Sequence, residues 1–212
     1  MQNPLVEFSL LCFVSMFTMT NPLGAVPIYT SFTNDLSAKE SQTVAYKAVL
    51  TAFVLLCLFA IAGQLIFNFF SISIHSLKIV GGLIFLAMGW EMLQAKLNRC
   101  QQPNETKGQF IDDISITPLG VPMLCGPGAI TNAIILMNSC ENATMVTILF
   151  SSLTLVMLLS LLILISGKRL LAVLGNNGNK IMMRLMGLIV MVIAVEFFFA
   201  GLKPIVQDMM TK

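Results

Sequence analysis

Asn21-Pro22-Leu23-Gly24-Ala25-Val26-Pro27 lies inside a long apolar run, and so does Pro118-Leu119-Gly120-Val121-Pro122-Met123-Leu124-Cys125-Gly126-Pro127-Gly128-Ala129-Ile130. Proline in a helix interior removes one hydrogen bond and clashes with the carbonyl a turn earlier, costing about 3 kcal/mol or more. Pro22, Gly24 and Pro27 cluster in one run, and Pro118, Gly120, Pro122, Gly126, Pro127 and Gly128 in the other. Both runs are therefore predicted to be helices that stop outright and restart near mid-segment.

The rest of the chain says what solvent those helices meet. Apolar residues make up 57% of the 212 and charged residues 10%, against about 25% charged in an ordinary soluble domain. Mean hydropathy is +0.88. The expected class is all-α, a polytopic membrane protein. A spanning helix needs about 20 apolar residues, and six segments qualify: about Val6 to Phe32, Ala48 to Phe70, Ile74 to Ala95, Ile114 to Asn138, Thr144 to Ser166 and Ile181 to Leu202. The first lacks a basic leader and a small-residue cleavage site, so it is expected to be retained. A polar stretch from Lys96 to Asp113, centred on Pro103-Asn104-Glu105-Thr106-Lys107-Gly108, separates the third span from the fourth.

The two halves echo each other at an offset of 105 residues: Asn21-Pro22 with Gly126-Pro127, Gly82-Leu83-Ile84 with Gly187-Leu188-Ile189, and Glu91 with Glu196. A rival register, Pro22-Leu23-Gly24 with Pro118-Leu119-Gly120, has an offset of 96. The 105 register serves both the first and the third spans of each half. It divides a single transmembrane domain, residues 1–212, into repeat one (about 5–96), a cytoplasmic linker (about 97–112) and repeat two (about 113–204). Three crossings per repeat force opposite orientations, the inverted arrangement of many secondary transporters. Numbering the connections alternately puts Lys39, Lys47, Lys96, Arg99, Lys107, Lys168, Arg169, Lys180 and Arg184 on one side and only Lys78, Lys203 and Lys212 on the other. This bias places the Lys/Arg-rich connections in the cytoplasm and both termini outside an inner membrane.

Irregular backbone at membrane depth is tolerated where it is buried in protein or lines a wet cavity. Each break should expose free N–H groups and a positive dipole end on the half-helix after it, and free carbonyls on the half before it. Backbone alone can then hold a small zwitterion. The expected substrate-binding residues are Asn21, Pro22, Leu23, Gly24, Gly126, Pro127, Gly128, Ala129 and Thr131, with Thr20, Asn132, Glu91 and Glu196 as candidates for coupling or a polar pathway and Thr18 as a further oxygen donor. Intramembrane carboxylates are functional hypotheses by default, although Glu91 can snorkel or pair with Lys96 or Arg99. His75 falls in a short outer connection and is expected to be solvated. The five cysteines, Cys12, Cys57, Cys100, Cys125 and Cys140, have no metal-ligand spacing, so no metal or cofactor is expected. A coupling ion, H+ or Na+, is compatible with the carboxylates. The partners expected are lipid and a small solute; no basic run points to nucleic acid.

Asn21-Pro22-Leu23-Gly24-Ala25-Val26-Pro27 with Tyr29 resembles the N-P-x-G-x-x-P-x-F signature of the MarC family of integral membrane proteins. Pro118 to Ile130 resembles that family's P-L-x-x-P-x-L-x-G-P-G-A-I signature. Tyr29 stands where Phe is usual, and Gly120 and Cys125 where Ala is common. The resemblance covers essentially the whole chain and implies a substrate site at Asn21 to Gly24 and Gly126 to Thr131. Most members have no assigned substrate; one branch is described as carrying small neutral amino acids such as glycine and alanine. Nothing in these residues supports the antibiotic resistance in the family's name. The leading expectation is a secondary transporter of small neutral solutes. A passive channel and a non-transporting scaffold are the alternatives. No Walker-type loop, His-Glu-x-x-His, Gly-x-Ser-x-Gly or intramembrane Asp pair occurs, so an ATP-driven pump or an enzyme is not expected.

Overall fold

The computed structural model describes residues 4–94 and 106–210, and their side chains except at 168–177 and 179. Lys96, Arg99, Cys100 and the Pro103-Asn104-Glu105 centre of the expected linker lie outside the described residues. Helices α1 (Pro4–Thr20) and α2 (Pro22–Phe32) form the first span, followed by α3 (Ala38–Phe69), α4 (Ile74–Leu93), α5 (Lys107–Ile114), a wide-turned segment Ser115–Leu124, α6 (Pro127–Asn138) and helical backbone from Ala143 to Met210, labelled α7. Among the described residues, five stretches are long and apolar enough to cross a membrane, Pro4–Phe32, Ala38–Phe69, Ile74–Leu93, Ala143–Gly167 and Lys180–Met210. The bent pair Lys107–Leu124 with Pro127–Asn138 is a sixth when the two pieces are counted as one broken span. An all-α, multi-pass membrane architecture follows.

Two boundaries differ from expectation for a local reason. Helix α3 begins ten residues before Ala48, at a capping box: the Ser37 side chain accepts from the Glu40 N–H and the Glu40 carboxylate accepts from the Ser37 N–H. The end of the expected linker is helical, because Thr106 and Gln109 make the same reciprocal cap. Apolar periodicity carries neither signal; Ser-x-x-Glu and Thr-x-x-Gln spacing does.

Two span pairs, α3 with the fourth span and α4 with the last, run in the senses that alternate crossing requires. Helix α3 lies parallel to the fourth span: Lys47 pairs with Asp112, Ala48 and Thr51 abut Gly120, Gly63 abuts Ile134, and Gln64 accepts from Asn138 at 3.0 Å. Helix α4 lies antiparallel to the end of α7. A Cβ on Gly82 would stand 2.7 Å from the Ala194 carbonyl, one on Gly89 would stand 2.9 Å from that of Gly187, and one on Gly201 would stand 2.5 Å from that of His75. Backbones touch here because the side chains are absent. The 105-residue offset exchanges the Gly82–Ala194 contact with the Gly187–Gly89 contact.

The half-helix α2 is the most enclosed element. All of it but Leu23 and Ser31 is buried, and the Tyr29 hydroxyl donates to the Ser41 carbonyl at 2.9 Å. The outward faces of α3 and α4 carry the exposed Leu, Ile and Phe side chains that lipid would cover.

Candidate substrate cavity

The first break is smaller than expected. It is one residue wide, and α1 and α2 together form a single 29-residue span. Asn21 takes the left-handed conformation (φ 41°, ψ 59°), which costs most residues about 1–2 kcal/mol and Asn less. Its N–H closes α1 on the Phe17 carbonyl at 3.1 Å and its carbonyl accepts from Gly24 at 3.0 Å. Its side-chain oxygen caps α2 through the same Gly24 N–H at 3.2 Å. Pro22 at the first helical position needs no N–H, and α2 absorbs Pro27 without ending. One residue therefore does what three prolines and glycines were expected to need. Pro22 still denies a donor to the carbonyl of Thr18, one turn back.

The second break is larger and begins earlier than Gly126. Thr117 (φ −128°, ψ 121°) and Val121 (φ −131°, ψ 126°) are extended. Each precedes a proline, whose ring disfavours the helical region for its neighbour. Both proline peptides are cis. The chain turns 56° between Lys107–Leu124 and α6. Helix α6 then starts at Gly126-Pro127 with no side-chain cap, and Gly126, Pro127, Gly128 and Ala129 are all buried.

A cavity of about 320 Å³ opens beside the first break, lined among others by Thr18, Asn21, Phe85, Met123, Glu196 and Phe197. This is the lower end of the roughly 300–1,000 Å³ usual for small-molecule pockets. Its walls are mostly apolar, from α4 and the last span, with Asn21, Thr18 and Glu196 as the polar groups. Glu196 has no ion-pair partner among the described residues.

The cavity brings together only part of the expected site. Asn21 and Glu196 face it. Pro22 and Gly24 are buried and outside its lining, and Leu23 is half exposed and also outside it. Gly126 and Gly128 lie against its wall rather than in it. A Cβ on Gly126 would stand 2.8 Å from the Phe85 ring, and one on Gly128 would stand 2.3 Å from the Phe197 ring. Pro127 packs on Gly81. Thr20 donates to the Phe17 carbonyl one turn back at 3.3 Å, and Asn132 donates across to the Ser15 hydroxyl of α1 at 3.2 Å; both side chains are occupied within the protein in this conformation. Thr131 is 3% exposed, and its hydroxyl has no hydrogen-bond partner among the described residues. Glu91 is exposed and away from the cavity. The basic residues proposed to pair with it lie outside the described residues. His75 is a correction: it sits in the first turn of α4, half-buried, with a shielded and unpartnered Nδ1 among the described residues. Phe85, Phe197 and Met123 were missed by sequence reasoning. Fifteen phenylalanines and fifteen methionines make any one of them anonymous, and only the position of Phe197 beside Glu196 singles it out.

Residues 6–206 match the family of MarC family integral membrane proteins. The chain belongs to the MarC family. Relatives are similar over nearly their whole length. A UPF0056 membrane protein of Pyrococcus horikoshii is 35% identical over 93% of this chain and 96% of its own. The UPF0056 membrane protein YvbG of Bacillus subtilis is 33% identical over 90% and 92%, and one from Aquifex aeolicus is 30% identical over 95% and 96%. No solved structure matches. In this MarC protein both signature stretches coincide with the two departures from regular helix.

Proposed function

We propose that this MarC protein is a secondary transporter of small neutral solutes, amino acids such as glycine or alanine, that works by alternating access and catalyses no covalent chemistry. The observation that carries the reading is the cavity between the Asn21 break and the last span. It is small and mostly apolar, and it holds one carboxylate unpaired among the described residues. An ammonium group suits Glu196 and the carbonyl end of α1, while a carboxylate suits the uncapped start of α6. Proton or Na+ coupling through Glu196 is compatible with the same geometry.

The exchanged Gly82–Ala194 and Gly187–Gly89 contacts support two inverted repeats, residues 5–96 and 113–204. The antiparallel pairing of α4 with the last span fits an axis in the membrane plane. The Lys/Arg bias supports an inner-membrane orientation with both termini periplasmic. Uptake of labelled glycine and alanine into proteoliposomes, with and without H+ or Na+ gradients, tests the reading. Saturable, gradient-stimulated uptake is expected. Unsaturable osmotic swelling would make the protein a channel, and no flux of either kind would make it a scaffold.

A further inference from the structure

We propose that Phe85 and Phe197 form an aromatic partition that shuts the cavity off from the start of α6, and that opening it joins the two into one substrate site. Both rings line the cavity. They meet edge to face with centroids 6.2 Å apart, the favoured geometry for an aromatic pair. Behind them lies the buried N-terminus of α6, which has no side-chain cap. The rings press on its two glycines, Phe85 on Gly126 and Phe197 on Gly128.

A second polar group waits on the same side. Residues three apart share a helix face, and side chains lean toward the helix N-terminus. Thr131 therefore lies over the Gly128 turn. Its hydroxyl is buried and pairs with nothing among the described residues, where a helical Thr ordinarily returns its proton to the carbonyl a turn back. Orphaned backbone N–H groups and an orphaned hydroxyl form an acceptor site for a carboxylate. The cavity beyond the rings gives them room to swing. The partition also limits cargo, because a solute that reaches Gly128 must pass two phenyl rings.

This inference rests on the transporter reading for the identity of the solute but not for the existence of the partition. The experiment separates the two. Thr131→Cys is placed in the otherwise native protein in proteoliposomes. Alkylation of the introduced thiol by N-ethylmaleimide is followed by peptide-resolved mass spectrometry, with half-buried Cys57 as internal reference. Adding Phe197→Ala should speed labelling of that thiol about three- to tenfold, the scale of the interaction between one pair of aromatic rings, and leave Cys57 unchanged. Phe85→Leu keeps most of the volume and should act in the same direction if Phe197→Ala fails to insert. Slower labelling with added glycine would support both partition and solute. Faster labelling that glycine does not affect would uphold the partition and count against amino acids as the cargo. Unchanged labelling of the introduced thiol in both variants would overturn the partition.

Discussion

Replacing Gly128 by alanine adds one methyl group at the point where the second motif meets the cavity wall. The new Cβ would lie 2.3 Å from the tip of the Phe197 ring and 3.0 and 3.1 Å from two further ring atoms. Carbon pairs settle at about 3.5–4.0 Å, so the ring must retreat by more than an ångström. It can, because its far side borders the 320 Å³ cavity. The cost to folding should therefore fall at the lower end of the roughly 1–3 kcal/mol of overpacking, and the added methyl group should crowd the Gly128 turn proposed to receive the solute. Misplacement of about 1 Å at a reactive site costs up to about a hundredfold, so glycine uptake should fall between ten- and a hundredfold. Proteoliposome uptake is read beside thermal unfolding in detergent, with Gly108→Ala as control, since nothing lies within 4 Å of that position. Gly126→Ala sets the opposite limit. Its Cβ would lie 2.5 Å from the Pro122 carbonyl oxygen, and backbone cannot swing aside. That variant should lose stability as well as flux. Well-folded Gly128→Ala protein with undiminished uptake would refute the reasoning.

Four further outcomes follow from the geometry. Asn21→Val should lower stability by about 1–3 kcal/mol, through the left-handed conformation and the lost cap, while Asn21→Gly should cost only a few tenths; a urea or thermal series compares them. Gly82→Ala should weaken the α4 crossing by about 1–3 kcal/mol because its Cβ meets backbone at 2.7 and 2.9 Å, and equal melting temperatures of variant and parent would contradict it. Glu196→Gln should leave glycine exchange measurable but abolish its stimulation by an ion gradient, read as the ratio of uptake with and without the gradient. A double-mutant cycle on Lys47 and Asp112, about half exposed, should return no more than about 1 kcal/mol.

Much of the fold was legible because membrane crossing imposes a coarse rule. Runs such as Ala143–Gly167 need only length and apolarity to declare themselves. The places of both breaks were legible too, because Pro and Gly act locally on their own chain. Their sizes were not. Asn21 narrows the first break to one residue through a conformation few side chains accept, whereas Thr117 and Val121 widen the second because prolines follow them. The partners of the site residues were the hardest part. Phe197 against Gly128, and Asn132 on Ser15, join residues far apart in the chain, and no local pattern records such a meeting. His75 was misjudged for a different, local reason: it was assigned to a short loop, whereas Ser73 caps α4 and draws the histidine into its first turn.

Accessibility at Thr18, which lines the cavity, tests the central claim most directly. A Thr18→Cys protein in sealed vesicles is treated with a membrane-impermeant thiol reagent from either side in turn, with and without glycine. The account predicts labelling from each side in separate conformations, with glycine shifting the balance between them. Labelling from both sides at once, or from neither side under any condition, would contradict it.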